Sequence, residues 1–417
     1  MTDEQGISVA EQQHEHGGPA GVVIVGESGV RLFGLTLPQR TERLFARIGV
    51  PRLTMDAQGV LALAADGSAL PRDAGSGETI IVVRADAVLD PALARAVAQT
   101  PGLLLVDSEE ARPLLAHVPA EQVELAAKVL LDGDVQAAQA AGWRILAPAE
   151  LPGAAFQEKL RKREAPYALL LRDSSAAARR ALEWRVFMGT YKGATDVITK
   201  RVWPRPAFIV TRWLAEHTRI TPNMVTLLSA VLVVLAFGLF AAGHYGWGLL
   251  AAWGMTFLDT VDGKLARTTL TSSRFGDIFD HGIDLVHPPF WYAAWAMGLA
   301  AHGTPLDDAW WWGALIVIIA GYVIQRLMEG VSIALLGMEI HIWRPFDTWF
   351  REITARRNPN LVLLTVFWLV GRPDWGLLAV AAWTLISLVV HGVQLVQAFA
   401  EKRRNGRLVS WMAREGA

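Results

Sequence analysis

Asp259, Asp262, Asp280 and Asp284 stand in one stretch of chain, FLDTVDGKLARTTLTSSRFGDIFDHGID, with the spacing D-x2-D-G-x2-A-R-x8-G-x3-D-x3-D. Asp259 and Asp262 are i,i+3 and Asp280 and Asp284 are i,i+4, so on helices each pair shares one face. Two antiparallel helices joined by the short polar link between them bring the four carboxylates together. Four acids in or beside a lipid bilayer stay ionised only if a cation compensates them. Oxygen-only ligands favour a hard divalent ion, Mg²⁺ or Mn²⁺, and such ions usually bind phosphates as well. Gly263 and Gly276 remove side chains where a ligand or helix must come close, Ala266 does so more mildly, and Arg267 supplies a forked cation suited to phosphate. Eight fixed identities at these spacings arise by chance less than about once in a million at ordinary residue frequencies.

The elements that must carry these residues follow from the apolar pattern. Hydrophobic residues make up 52% of the 417 and charged residues only 19%, too apolar for a disordered chain. The absence of cysteine excludes a disulfide scaffold, thiolate metal sites and a thiol nucleophile. A net charge of −1 gives no basic field for a nucleic acid. Only Trp143 and Trp184 of the 17 tryptophans precede residue 186, so the chain divides into a globular half and an apolar half. Against a need of roughly 20 apolar residues per span, transmembrane helices are predicted at 224–243, 246–262, 281–301, 310–336, 359–371 and 376–398. Trp310, Trp311 and Trp312 fit an interfacial aromatic belt.

Basic residues gather before the first span (Lys200, Arg201, Arg205), between the second and third (Lys264, Arg267, Arg274), between the fourth and fifth (Arg351, Arg356, Arg357) and in the tail (Lys402, Arg403, Arg404). The alternate loops AGHYGWG, AHGTPLDDAW and GRPDWG are poor in them. The positive-inside rule therefore predicts six spans with both termini cytoplasmic.

Before the membrane half, the polar residues 1–20 read as a disordered tail; His14 and His16 there need bind nothing. Residues 21–175 alternate strands (21–26, 52–55, 60–64, 79–84, 102–106) with helices (near 38–48, 90–99, 120–131). This is the pattern of a Rossmann-like α/β domain with a mostly parallel sheet. Residues 176–222 form a basic amphipathic junction containing Trp203, Trp213 and Pro204, Pro206 and Pro222, suited to an anionic leaflet or to a solvated linker. Residues 223–400 are the six-span domain and 401–417 a basic tail.

The aspartate spacing resembles the signature of the CDP-alcohol phosphotransferase family, over about residues 190–400. ITPNMVT at 220–226, with Asn223 and Thr226, is similar to the segment that opens that family's first span near the nucleotide. The resemblance implies a six-helix membrane enzyme that moves a substituted phosphate from a CDP-alcohol donor to an acceptor hydroxyl and releases CMP, in phospholipid or phospho-polyol synthesis. It implies Asp259, Asp262, Asp280 and Asp284 as ligands of a two-metal Mg²⁺ (or Mn²⁺) site. Gly263, Ala266, Arg267, Gly276, Asn223 and Thr226 would shape the CDP pocket, with Asp284 as the leading general base and His281 its competitor. The donor is either CDP-diacylglycerol or a CDP-linked polar alcohol such as CDP-inositol, so at least one substrate is lipid-associated, and family members are commonly homodimers. The opening GVVIVGESGVRLFGLTLPQ resembles sugar-phosphate nucleotidyltransferases at Gly26, Gly29, Arg31, Leu32 and Pro38. Gln39 stands where that family has a phosphate-steadying lysine, which implies a degenerate domain; Asp86 is its candidate metal aspartate, or simply a strand end. GATDVITKRV at 193–202 is similar to the junction of enzymes that fuse the two domains, such as inositol-1-phosphate cytidylyltransferase with di-myo-inositol phosphate phosphate synthase.

Acceptor choice is assigned to Arg326, Glu329, His341, Arg344, Asp347, Arg351, Arg356 and Arg357. Arg326 and Glu329 at i,i+3 are either a site or a mutual ion pair, and the basic run WRPFDTWFREITARRNPN either grips a phosphorylated acceptor or anchors to anionic lipid. His287, with Pro288 and Pro289 expected to kink its helix, is a weaker catalytic candidate. The competing class is a membrane transporter or scaffold with a structural cation site, against which stand the clustering of the acids at one membrane face and the lack of an inverted repeat.

Overall fold

The computed structural model describes residues 18–55, 61–63, 78–151, 156–157, 160–171 and 175–413, so the tail histidines His14 and His16 lie outside the described residues. The chain forms two compact units, residues 1–157 with 163–189, and residues 158–162 with 190–417.

The first unit is built on a seven-stranded sheet of β1 (Gly21–Val25), β2 (Arg52–Met55), β3 (Leu61–Leu63), β4 (Thr79–Arg84), β5 (Leu103–Val106), β6 (Pro113–Pro119) and β7 (Arg144–Leu146). The spatial order is β7-β5-β6-β4-β1-β2-β3. Ile80, Ile81, Val82 and Val83 are all fully buried, as expected of a continuous apolar run at the centre of a sheet covered on both faces. Helix α1 (Leu37–Ala46) begins at a capping box between Thr36 and Gln39, and α2 (Pro91–Ala98) at an Asp90 cap. Helix α3 (Val123–Asp132) lays Val123, Ala126, Val129 and Leu130 against Val23, Ile80 and Val82.

One expectation for this unit changes, and two residues singled out in the sequence acquire partners. The sheet is mixed, not mostly parallel, because β6 runs antiparallel between β4 and β5 and β3 folds back on β2. Strand β6 escapes the sequence because Pro113 and Pro119 at its ends read as breakers, yet only the strand interior donates to the ladder. Asp86 is paired with Arg84, whose Nε and Nη2 donate to it at 2.9 and 2.7 Å. Gln39, at the position of the implied lysine, accepts from the Thr36 backbone N–H at 3.0 Å and serves the start of α1.

The junction segment is helical at α4 (Ala176–Gly189), in the first unit, and at α5 (Pro204–His217), in the second. Pro204 and Pro206 stand in the first turn of α5, where a missing N–H costs nothing. Trp203 packs edge-on against Trp253 and Phe257, while Trp213 is exposed.

The second unit is a helical bundle: α6 (Pro222–Ala241), α7 (Tyr245–Thr268), α8 (Arg274–His302), α9 (Asp308–Val331), α10 (Pro345–Ile353), α11 (Arg357–Leu369) and α12 (Pro373–Asn405). Three of these stretches, Pro222–Ala241, Asp308–Leu336 and Pro373–Asn405, are long and apolar enough to cross a membrane. Helices α7 and α8 carry the motif acids and bases instead, and α11 has 13 residues. Helix α8 runs through Pro288 and Pro289. The core is aromatic and its polar edges are tied to backbone carbonyls. Tyr245 stacks on Trp295 at 4.1 Å and donates to its carbonyl at 2.6 Å, and Trp295 Nε1 donates to Pro373 O at 3.0 Å. Of the supposed belt, Trp310 and Trp312 are exposed, whereas Trp311 donates to Ala296 O at 2.8 Å.

Gly298 lets α8 touch the α6–α7 turn. A Cβ there overlaps the Phe240 carbonyl oxygen and lies 2.9 Å from Gly243 N, backbone atoms that no rotamer change can move. Gly298→Ala is expected to cost about 3 kcal/mol, read as a lowered midpoint of thermal unfolding. Gly313→Ala, with nothing within 4 Å of the new methyl, should leave the midpoint unchanged or slightly raised.

Candidate active site

Three helix ends position the motif. Helix α6 starts at Thr221, whose hydroxyl caps Met224 N, so Asn223 and Thr226 lie in its first turns. Helix α7 ends at Thr268, its last three turns carrying Asp259, Asp262, Gly263, Ala266 and Arg267. Helix α8 begins after Ser273, whose hydroxyl accepts from Gly276 N at 3.1 Å, and presents Asp280 and Asp284 one and two turns further on. A cavity of about 490 Å³ opens between these ends, lined by all eight motif residues and by Asn223, Thr226 and His281. A Cβ at Gly276 would sit 2.9 Å from Asn223 Oδ1 and 3.1 Å from Ser273 Oγ, so the bare glycine is what lets α6 and α8 converge here.

Asp259, Asp280 and Asp284 each offer an oxygen within 4.8 Å of the others. Asp262 stands beside them with its oxygens otherwise engaged: Oδ2 accepts from Thr226 Oγ1 at 2.6 Å and Oδ1 from Gly263 N at 2.5 Å. A cation already marks the need for positive charge: Arg357, at the start of α11, donates Nη2 to Asp259 Oδ2 at 2.6 Å and pairs with Asp284 through Nη1. An all-oxygen donor set of this charge fits a hard divalent ion.

Sequence reasoning assigned Arg357 to acceptor choice; Asp259 and Asp284 lie 98 and 73 residues from it, and spacing carries no such information. The remaining acceptor candidates divide. Glu329 pairs with Arg326 at 3.0 Å, and with Arg356, and faces His341 Nε2 at 3.0 Å; Arg326, Glu329 and Arg356 line the cavity. Thus the i,i+3 pair is both an ion pair and part of the site. Burial, with Arg351 and Arg161 nearby, holds the His341 imidazole well below the usual histidine range. Arg344 and Asp347 instead pair with each other at 3.0 Å and do not line the cavity. Arg351 lines it; burial pushes its guanidinium down to about 10, so it remains cationic at neutral pH. His287 is a core histidine, bonded through Nδ1 to Ile283 O at 2.7 Å and packed edge-on against Trp291, and it does not line the cavity.

Two residues were not read as part of the site. Lys264, between the motif positions, donates to Thr190 O at 3.2 Å and sits 3.1 Å over the Tyr191 ring, pinning the 190–191 segment to the end of α7. Arg161 lines the cavity from the 158–162 excursion, paired with Glu339 at 2.6 Å. No sequence pattern signalled either.

Residues 219–355 match the family model for CDP-alcohol phosphatidyltransferase. That part of the second unit is similar to a CDP-alcohol phosphatidyltransferase domain. Over 165 residues the chain is 32% identical to the bifunctional IPC transferase and DIPP synthase of Rubrobacter xylanophilus, a match covering 40% of this chain and 35% of that protein. Over 113 residues it is 34% identical to the phosphatidylinositol phosphate synthase of Mycobacteroides abscessus, covering 27% and 47%. Over 98 residues it is 36% identical to cholinephosphotransferase 1 of Danio rerio, covering 20% and 26%. The chain therefore spans between about a quarter and a half of the length of these relatives. Asp196, Lys192 and Arg161, which line the same cavity, precede the matched phosphatidyltransferase region.

Proposed function

We propose that this chain is an integral membrane transferase that moves a substituted phosphate from a CDP-alcohol donor, CDP-diacylglycerol or a CDP-linked polar alcohol, to an acceptor hydroxyl. The observation that carries the reading is the convergence of Asp259, Asp280 and Asp284 on a cavity lined by the full motif. In the reaction the acceptor oxygen bonds to the donor phosphorus that bears the alcohol, the bridging P–O bond to CMP breaks, and CMP leaves with the electron pair. The hydroxyl proton passes to a carboxylate, for which Asp284 is the candidate, with His281 as the alternative. Asp259, Asp280 and Asp284, with Asp262 adjoining, would hold Mg²⁺, one ion or a pair. Bound there, the metal neutralises the donor's diphosphate and stabilises CMP as leaving group. Asn223, Thr226, Gly263, Ala266, Arg267 and Gly276 form the wall against which the nucleotide is held. The basic loops support six spans with cytoplasmic termini, and the sheet unit serves as a non-catalytic partner domain.

Purified protein with Mg²⁺ and a panel of CDP-alcohols and acceptors is expected to release CMP, and to stop when EDTA is added. Silence with every donor and acceptor pair sinks the reading.

A further inference from the structure

The segment after α12, read from the sequence as a basic tail, folds back on the bundle. Gly406, with φ at +76°, turns the chain where α12 ends. Leu408 then packs on the apolar cluster of Leu336, Ile340, Trp343 and Ala398, and Ser410 and Met412 are 3% and 5% exposed. A short segment beyond the last helix is poorly ordered unless something ties it down. Here the ties converge on the Ile340–Ile342 turn and its surroundings. Ser410 Oγ donates to Ile342 O at 2.5 Å, Trp411 N to Trp343 O at 3.0 Å, and Trp411 Nε1 to Thr348 Oγ1 at 3.0 Å. The Thr348 hydroxyl in turn donates to His341 O at 2.9 Å. Three successive carbonyls, those of His341, Ile342 and Trp343, are thus held by Ser410 and Trp411, directly or through one hydroxyl.

The turn held in this way carries part of the cavity. Its near end is fixed by Ser332, whose hydroxyl donates to Met338 O at 2.8 Å, and by Lys402 of α12, whose Nζ donates to Leu335 O at 2.6 Å. Between those ties and the three carbonyls lie two residues that bear on the cavity wall. Glu339 lines it and pairs with Arg161 at 2.6 Å, and His341 Nε2 stands 3.0 Å from Glu329, which also lines it. A single 3₁₀ turn has few hydrogen bonds of its own, so its position depends on what holds its carbonyls. Ser410 and Trp411 lie beyond residues 219–355, so the fastening comes from outside the region that matches the family model.

We propose that Ser410 and Trp411 are positioning residues, and that the 408–413 segment is a clasp that sets Glu339 and, through His341, Glu329 on the cavity wall. The clasp touches no substrate; it fixes the surface against which substrate is held. Its hydrogen bonds go to the turn and to α10, whereas the motif acids come from α7 and α8, so substrate binding should depend on it more than the bond-making step does. The effect on turnover rests on the transferase reading; the clasp itself does not.

Two readouts on the protein in phosphatidylcholine nanodiscs test this. Hydrogen–deuterium exchange over 338–348 should speed up when the chain is cut after Arg407 and, by less, in Trp411→Phe, which keeps an aromatic ring but removes the indole donor. Exchange over α7 should not change. In the CMP-release assay, the cut should raise KM for the donor or the acceptor by roughly tenfold and leave kcat within about twofold. Trp411→Phe and Ser410→Ala should shift KM in the same direction by less. A segment that only stabilises the fold gives the opposite split, a lower kcat at unchanged KM, because it changes the fraction of enzyme that is folded. Arg404→Gln, at the exposed end of α12, alters the charge of the same region and should change neither readout. Thermal unfolding identifies a variant that has lost its fold, and if the cut protein does not fold, Trp411→Phe and Ser410→Ala decide the question. Unchanged exchange over 338–348, or a loss of kcat at unchanged KM, overturns the clasp. Faster exchange there in a protein whose wild type releases no CMP from any donor keeps the clasp on its turn and overturns the transferase reading.

Discussion

Asp280→Asn is expected to lower CMP release by on the order of a thousandfold or more, and to do so without harming the fold. Asparagine keeps the shape of the side chain but removes one of three converging charges, so the group can no longer hold a divalent ion as tightly. Loss of activity through misfolding is separable, because the Arg357 guanidinium pairs with Asp259 and Asp284, the two carboxylates that the substitution leaves in place. Removing one negative charge relieves like-charge crowding there, so thermal unfolding of the variant in EDTA should be unchanged or raised. Added Mg²⁺ should stabilise the wild type by the mass action of binding and the variant far less. The same substitution separates the two classes of function read from the sequence. A transporter with a structural cation site would keep substrate flux in a folded Asp280→Asn protein, whereas a transferase loses CMP release.

What could be read before the structure depended on whether the determinant was local. Helix α6 was placed to within two residues of each end because a long, charge-free and mostly apolar run follows Thr221-Pro222, a cap and an N1 proline. The motif residues were found because helical spacing alone puts Asp259 with Asp262 and Asp280 with Asp284. That Asp262 turns to Thr226 while the other three converge depends on how α6 meets α7, and no spacing records it. Strand β6 was invisible for a related reason, since its identity lies in its two neighbours, whose register partners such as Val83↔Leu115 and Leu105↔Leu115 are distant in sequence. Gln39 shows the converse. Its departure from the nucleotidyltransferase pattern was visible, but only the capping box explains what the residue does instead. Arg161 enters from a stretch that sequence reading assigned wholly to the soluble domain, and it was therefore never considered for the membrane site.

Arg357 yields the second large effect, because it ties the acid site to the fold. Its side chain is 14% exposed and bridges Asp259 and Asp284, from α7 and α8, to the start of α11. Arg357→Gln leaves both carboxylates without their cation, and breaking a buried pair on one side costs about 3 kcal/mol or more. In EDTA the variant should therefore unfold roughly 10 °C below the wild type. Mg²⁺ should return most of that difference, since an ion among the carboxylates replaces the lost charge, and the return should be larger than the shift Mg²⁺ gives the wild type. Arg357→Lys, which keeps the charge but cannot bridge two carboxylates with one planar fork, should fall between them. If Mg²⁺ does not rescue Arg357→Gln, the acids do not form a divalent-ion site and Arg357 is their permanent partner. If it does, the guanidinium and the metal compete for the same oxygens. The arginine then serves as the counter-ion of Asp259 and Asp284 until metal arrives.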